Sequence, residues 1–95
     1  MTEIHLFVQE GCRPCIYAET QLKKVDGWEK VITITNAKEG NQWTQFATDC
    51  GIVATPTLIA LIDGVVIAKV EGSNNMTSEF WQSTITKHGV NNGKI

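Results

Sequence analysis

The sequence predicts an α/β fold: a single domain over residues 1–95, with a four-stranded mixed sheet flanked by three helices in the order βαβ then αββα. Three observations predict it. Short runs rich in β-branched and aromatic residues alternate with stretches whose apolar residues follow helical spacing. The opening strand–helix–strand unit requires a parallel pair joined by a right-handed crossover. The last two strands meet at Asp63-Gly64, a tight-turn pair that folds them into an antiparallel hairpin.

The first strand is Ile4-His5-Leu6-Phe7-Val8, ended by Glu10-Gly11. A helix is expected from Cys12 to Val25, with Ala18, Leu22 and Val25 on one face and Glu19 placed to meet Lys23. Pro14 suits its first turn, where the missing N–H has no intrahelical partner to lose. Asp26-Gly27 is expected to end it. Val31 to Thr35 is the second strand and Asn36 to Asn41 a polar loop. Trp43, Phe46, Ala47 and Cys50 fall at i, i+3, i+4 and i+7, the stripe of a short second helix. Thr57 to Ile62 is apolar on both faces, as in a central strand covered on each side. Val65 to Val70 completes the hairpin, and Gly72-Ser73-Asn74-Asn75 breaks it. Met76 to His88 reads as the closing helix, with Gly89 as its stop and residues 90–95 as a frayed tail.

Composition narrows the function. Apolar residues are 42% of the chain, charged residues 19%, and the formal net charge is −2 with eight scattered basic residues. That pattern gives no footprint for nucleic acid and no polybasic membrane patch. The start, Met1-Thr2-Glu3-Ile4-His5, has no signal-like run, and the longest apolar stretch, Leu58 to Ile62, is far too short to span a membrane. A cytoplasmic protein, monomeric, is the expectation. Three cysteines, an odd number, do not fit a disulfide-stapled scaffold, so a close pair is metal-binding, catalytic or incidental.

Cys12-Arg13-Pro14-Cys15 lies where the first strand ends and the first helix begins. There the first sulfur faces unpaired backbone N–H groups and the positive end of the helix dipole, which stabilise thiolate over thiol. Such pair motifs span pKa values of about 3.5 to 7.5. Arg13 adds a cation. Cys12 is therefore the expected attacking thiolate, and Cys15, one turn deeper, the thiol that resolves the mixed disulfide. A CxxC in a βαβ context favours this redox reading. The zinc alternative needs four ligands, and only Cys50, His5 and His88 remain, none paired at ligand spacing.

The segment Gly51-Ile52-Val53-Ala54-Thr55-Pro56-Thr57-Leu58, followed by Asp63-Gly64 and Lys69-Val70-Glu71-Gly72, resembles the carboxy-terminal half of thioredoxins. With the cysteine pair included, the resemblance covers nearly the whole chain. It implies the thioredoxin fold, with Pro56 in the cis form against the cysteines. It further implies that Thr55 offers backbone groups to a substrate and that Gly72 keeps the nearby surface open. Arg13 and Pro14, between the sulfurs, join Thr55, Pro56 and Gly72 as the expected substrate-binding residues. No cofactor is implied. The implied partners are disulfide-containing client proteins, a ribonucleotide reductase among them, with an external reductase or glutathione as electron donor.

The chain also departs from that pattern. The strand and helix that usually precede the first strand are missing, which leaves glutaredoxin dimensions. The buried acid expected six residues before the first cysteine is Leu6, and the tryptophan expected before the pair is Gly11. The glycine pair and acidic cap by which glutaredoxins hold glutathione are replaced by Glu71-Gly72-Ser73-Asn74. The expected function is a thiol–disulfide oxidoreductase that reduces protein disulfides. The alternatives are a glutaredoxin-like, glutathione-dependent reductase and a non-catalytic binding partner of the same fold. Cys50 is expected to pack in the core, His5 to be locally satisfied, Lys38 to be solvated, and Trp28, Trp43 and Trp81 to be core or edge residues.

Overall fold

The structure, a computed structural model, describes residues 1–93 and the side chains of 1–88. Four strands form the main sheet: β1 (Thr2–Val8), β2 (Ile32–Asn36), β5 (Thr57–Ile62) and β6 (Val65–Glu71), in spatial order β2-β1-β5-β6. β1 pairs in parallel with β2, and β5 runs antiparallel to both β1 and β6. This is the mixed sheet predicted by the βαβ unit and the hairpin. At the hairpin tip Asp63 and Gly64 both take positive φ, the backbone that a two-residue turn between twisted strands demands. Opposite Ala60 and Leu61 the β6 register shifts, so Ile67 is a one-residue bulge.

The alternation of side chains along β1 and β5 divides the core in two. Ile4, Leu6 and Val8 of β1 and Leu58 and Ala60 of β5 face one side. There they pack with Cys15, Ala18 and Leu22 of α1 (Arg13–Leu22) and Trp81 and Ile85 of α3 (Ser78–Gly93). Phe7, Ile59 and Leu61 face the other side, against Ala47 of α2 (Gln45–Asp49) and the adjoining Cys50 and Ile52. β5 is buried on both faces until Ile62, as its uninterrupted apolar run requires.

Beyond shifts of one or two residues, several boundaries differ from the sequence expectation. α1 ends at Leu22 instead of Val25, because the chain turns through Lys23–Asp26 and Gly27 before a 3-10 turn at Trp28–Lys30. Val25 is still buried, so its apolar spacing reflected burial beyond the helix. The polar stretch after β2 holds a small hairpin, β3 (Lys38–Glu39) with β4 (Gln42–Trp43), not a plain loop. Trp43 consequently lies in β4 and not on the α2 stripe. Thr44 starts α2 instead, its hydroxyl accepting from the Ala47 N–H at 3.1 Å. Finally, α3 runs past Gly89 to Gly93, so Gly89 does not stop the helix. The expected frayed tail is helical to Gly93, and Lys94 and Ile95 lie outside the described residues.

Trp81 fastens α3 to α1. Its ring is fully buried, and its Nε1–H donates to the Ala18 carbonyl at 3.1 Å. Replacing Trp81 by Phe leaves a void and removes that donor. The expected loss is about 2 kcal/mol of unfolding free energy, read as a lower urea midpoint at unchanged slope.

Candidate functional site

β1 carries the chain to the carboxyl end of the sheet, and Gln9–Gly11 turn it into α1. Gly11 takes φ +75°, so the place where a thioredoxin would carry tryptophan has a backbone that disfavours any side chain. Cys12 is the N-cap of α1: its extended backbone precedes the helix, and its sulfur receives the Cys15 N–H at 3.2 Å. Arg13 and Pro14 occupy the first two helical positions, both exposed. Cys12 and Cys15 form a disulfide, with their Cα atoms 5.2 Å apart. Cys12 is half-buried, whereas Cys15 is only 1% exposed and belongs to the core between the sheet and α1. One sulfur therefore meets a partner first, and the other lies behind it.

The loop before β5 approaches the same sulfur. The Thr55–Pro56 peptide is cis, as the resemblance implied. The Thr55 hydroxyl lies 3.5 Å from Cys12 Sγ and the Thr55 carbonyl oxygen 3.8 Å from it. Pro56 is fully buried, and its carbonyl accepts from the Gly72 N–H at 2.9 Å, which ties the end of the β5–β6 hairpin to the loop. A Cβ at Gly72 would meet nothing within 4 Å, so the surface there is open. Thr57 follows fully buried, its hydroxyl donating to the Ala54 carbonyl at 2.8 Å. Cys12, Cys15, Thr55, Pro56 and Gly72 are thus brought together from two loops and a hairpin end. Arg13 makes no ion pair among the described residues.

Gln9 is the residue that sequence reasoning passed over. Its Nε2–H donates to the Thr55 hydroxyl at 2.8 Å, so it lies in contact with the group that faces Cys12. The available signal was small: a polar side chain directly after the apolar run of β1, at the sheet end where the cysteines sit. Exposed apolar side chains also adjoin the site in sequence. Ile16 and Tyr17 follow Cys15 at 60% and 44% exposure, and Val53 precedes Thr55 at 73%.

The remaining candidates are structural. Leu6 is fully buried in the same cluster as Cys15, and among the described residues no acidic side chain is buried. His5 is held by Thr35 at 2.9 Å and Glu3 at 3.1 Å. Lys38 lies over the Trp43 ring at 4.6 Å, a cation–π contact, so it is not simply solvated. Among the described residues no three His, Cys, Asp or Glu side chains gather to hold a metal ion. Cys50 is buried. Loss of solvation, then the nearby Asp49 and Glu3 carboxylates, push its thiol above the ordinary range.

With this geometry in place, comparison with solved structures identifies the fold. The fold matches that of thioredoxin Mala s 13 from Malassezia sympodialis at a TM-score of 0.67 and 24% identity, over 92% of this chain and 74% of that one. It matches Fasciola hepatica thioredoxin at 0.65 and 20%, over 92% and 80%. A periplasmic thioredoxin, SoxS from Paracoccus pantotrophus, matches at 0.60 and 16%, over 92% and 94%. No protein-family model and no curated protein sequence matches the chain. The chain has the thioredoxin fold, with a CxxC pair at the start of its first helix.

Exposure and pairing separate the three thiols chemically: Cys12 is accessible, the buried Cys15 reaches the Cys12 sulfur from behind, and Cys50 is buried without a partner thiol. In the reduced native protein at about pH 8, a thiol-reactive disulfide reagent should consume Cys12 and Cys15 while Cys50 reacts only on unfolding. Mass mapping of labelled peptides checks the order, and rapid native labelling of Cys50 would contradict its burial.

Proposed function

We propose that this protein is a thiol–disulfide oxidoreductase that reduces protein disulfides through a Cys12–Cys15 dithiol–disulfide cycle. The observation that carries the reading is the asymmetry of the pair. Cys12 is accessible at a helix N-terminus with an amide N–H on its sulfur, and Cys15 is buried directly behind it. A nucleophile and a resolving thiol need that arrangement.

In the proposed cycle the Cys12 thiolate attacks one sulfur of a client disulfide. The client S–S bond breaks, a Cys12–client bond forms, and the departing client sulfur leaves as a thiolate. Cys15 then loses its proton and attacks Cys12 Sγ, releasing the second client sulfur and closing the Cys12–Cys15 disulfide. The client gains two electrons, which the pair loses; one of the client's two protons comes from Cys15 and the other from solvent, which took up the Cys12 proton when the thiolate formed. With Leu6 where an acid would stand, the departing client thiolate or water takes the Cys15 proton.

Thr55, next to Cys12, offers its backbone to an extended client segment. Ile16, Tyr17 and Val53 supply apolar surface suited to a protein client. Arg13 and Pro14, exposed between the sulfurs, and Gly72, open beside Pro56, complete the proposed substrate-facing set. An external reductase or glutathione returns the electrons, and a ribonucleotide reductase is one client of the required kind. A reducing compartment such as the cytoplasm is the proposed setting.

Cys12→Ser should abolish reduction of insulin by dithiothreitol-coupled turnover, whereas Cys15→Ser should accumulate a mixed disulfide with the client. The reduction potential, measured against defined thiol–disulfide buffers, decides the direction of flow. A value near −270 mV, roughly that of thioredoxin, supports the reductase; about −200 mV or higher supports glutathione coupling or an oxidant instead. Inability of the pair to close a disulfide in these buffers would leave only the non-catalytic binding role.

A further inference from the structure

The groups that surround Cys12 Sγ in the disulfide compete over its proton once the pair is reduced. The Cys15 N–H at 3.2 Å and the Thr55 hydroxyl at 3.5 Å are donors, and donors favour the thiolate. The Thr55 carbonyl oxygen at 3.8 Å can only accept, so it favours the protonated thiol. The balance turns on where the Thr55 hydroxyl directs its single hydrogen.

Gln9 decides that. A side-chain amide nitrogen donates and never accepts, so its 2.8 Å bond occupies a lone pair of Thr55 Oγ1. The hydroxyl hydrogen is then free to point at Cys12 Sγ. Hydrogen bonds in series also polarise one another, so the first bond strengthens the second as well as aiming it. Both Gln9 and Thr55 are half-buried, where competition from water is reduced.

We propose that Gln9 is a positioning residue for Cys12: acting through the Thr55 hydroxyl, it holds the Cys12 sulfur as thiolate and so sets the pH at which this cysteine becomes reactive. The proposal rests on the reading of Cys12 as the attacking thiolate. Gln9 itself touches only Thr55. The two residues stand 46 positions apart, so the relay also couples the end of β1 to the loop that presents the client.

The test is the pH profile of Cys12 alkylation by iodoacetamide in the reduced full-length protein, with the modified cysteine assigned by mass mapping. Thr55→Val should raise the Cys12 pKa by about one unit, the scale of a hydrogen bond to a charged group. Gln9→Met, close in shape but without a donor, should raise it by about half a unit, slowing alkylation below the pKa about threefold. Combined with Thr55→Val, Gln9→Met should add nothing, because the relay is already cut. A Gln9→Met profile that matches the wild type overturns the proposal, as does an equal shift in the Thr55→Val background. Should Thr55→Val fail to fold, Thr55→Ser keeps the hydroxyl and must keep the Gln9→Met shift; its disappearance there refutes the relay. The profile is read without any client disulfide, so its failure is separate from a failure to reduce insulin.

Discussion

The bond from the Cys15 N–H to Cys12 Sγ holds the site together, and much of the chain serves to place it. A helix begins with backbone N–H groups that have no partner within it, and here a sulfur takes the capping position that serine or aspartate often fills. That cap requires three things at once. β1 must end at the carboxyl end of the sheet, Gly11 must turn the chain, and α1 must stay fixed over the sheet. The last requirement is met from within the core, where Ala18 and Leu22 lie on β1 and the Trp81 ring bonds the Ala18 carbonyl. The same buried layer that stabilises the fold therefore sets the depth difference between the two sulfurs.

Most of the frame was legible in the sequence because local pattern and tertiary demand agree there. β5 was bounded residue for residue, since its apolar run, the preceding proline and the Asp63-Gly64 turn all mark the same limits. Cys12 and Cys15 were legible because their pair falls between a strand end and a helix start, whereas Thr55 and Pro56 were singled out only through the resemblance to thioredoxins. Two of the misplacements share a cause: an apolar side chain can be buried without belonging to a helix. Val25 and Trp43 continued a helical spacing by coincidence of burial, whereas turn chemistry at Gly27 and capping by Thr44 set the real limits. Gln9 was illegible because its partner is distant in the chain, and no local period reports a hydrogen bond between two loops.

Leu6 shows how the two-sided sheet constrains chemistry. Its side chain points into the layer shared by Cys15, Ala18 and Trp81, where an unpaired carboxylate would be costly to bury. Filling that position with leucine strengthens the packing beneath the disulfide and leaves the buried sulfur with no acid below it. In the proposed cycle, control of proton movement thereby falls to the groups that line Cys12. Core stability and thiol chemistry are divided between the two ends of one short helical turn.

The bulge at Ile67 has a consequence beyond the fold. β6 is an edge strand, and Val65, Val66 and Ile67 stand exposed along it at 63%, 39% and 51%. A free, apolar edge is a template on which a second copy of the chain pairs strand to strand. A regular ladder cannot run through the extra residue, and Lys69 adds a charge one step further along. Strand pairing through this edge is thus opposed by backbone geometry, even though apolar residues stand along the rim.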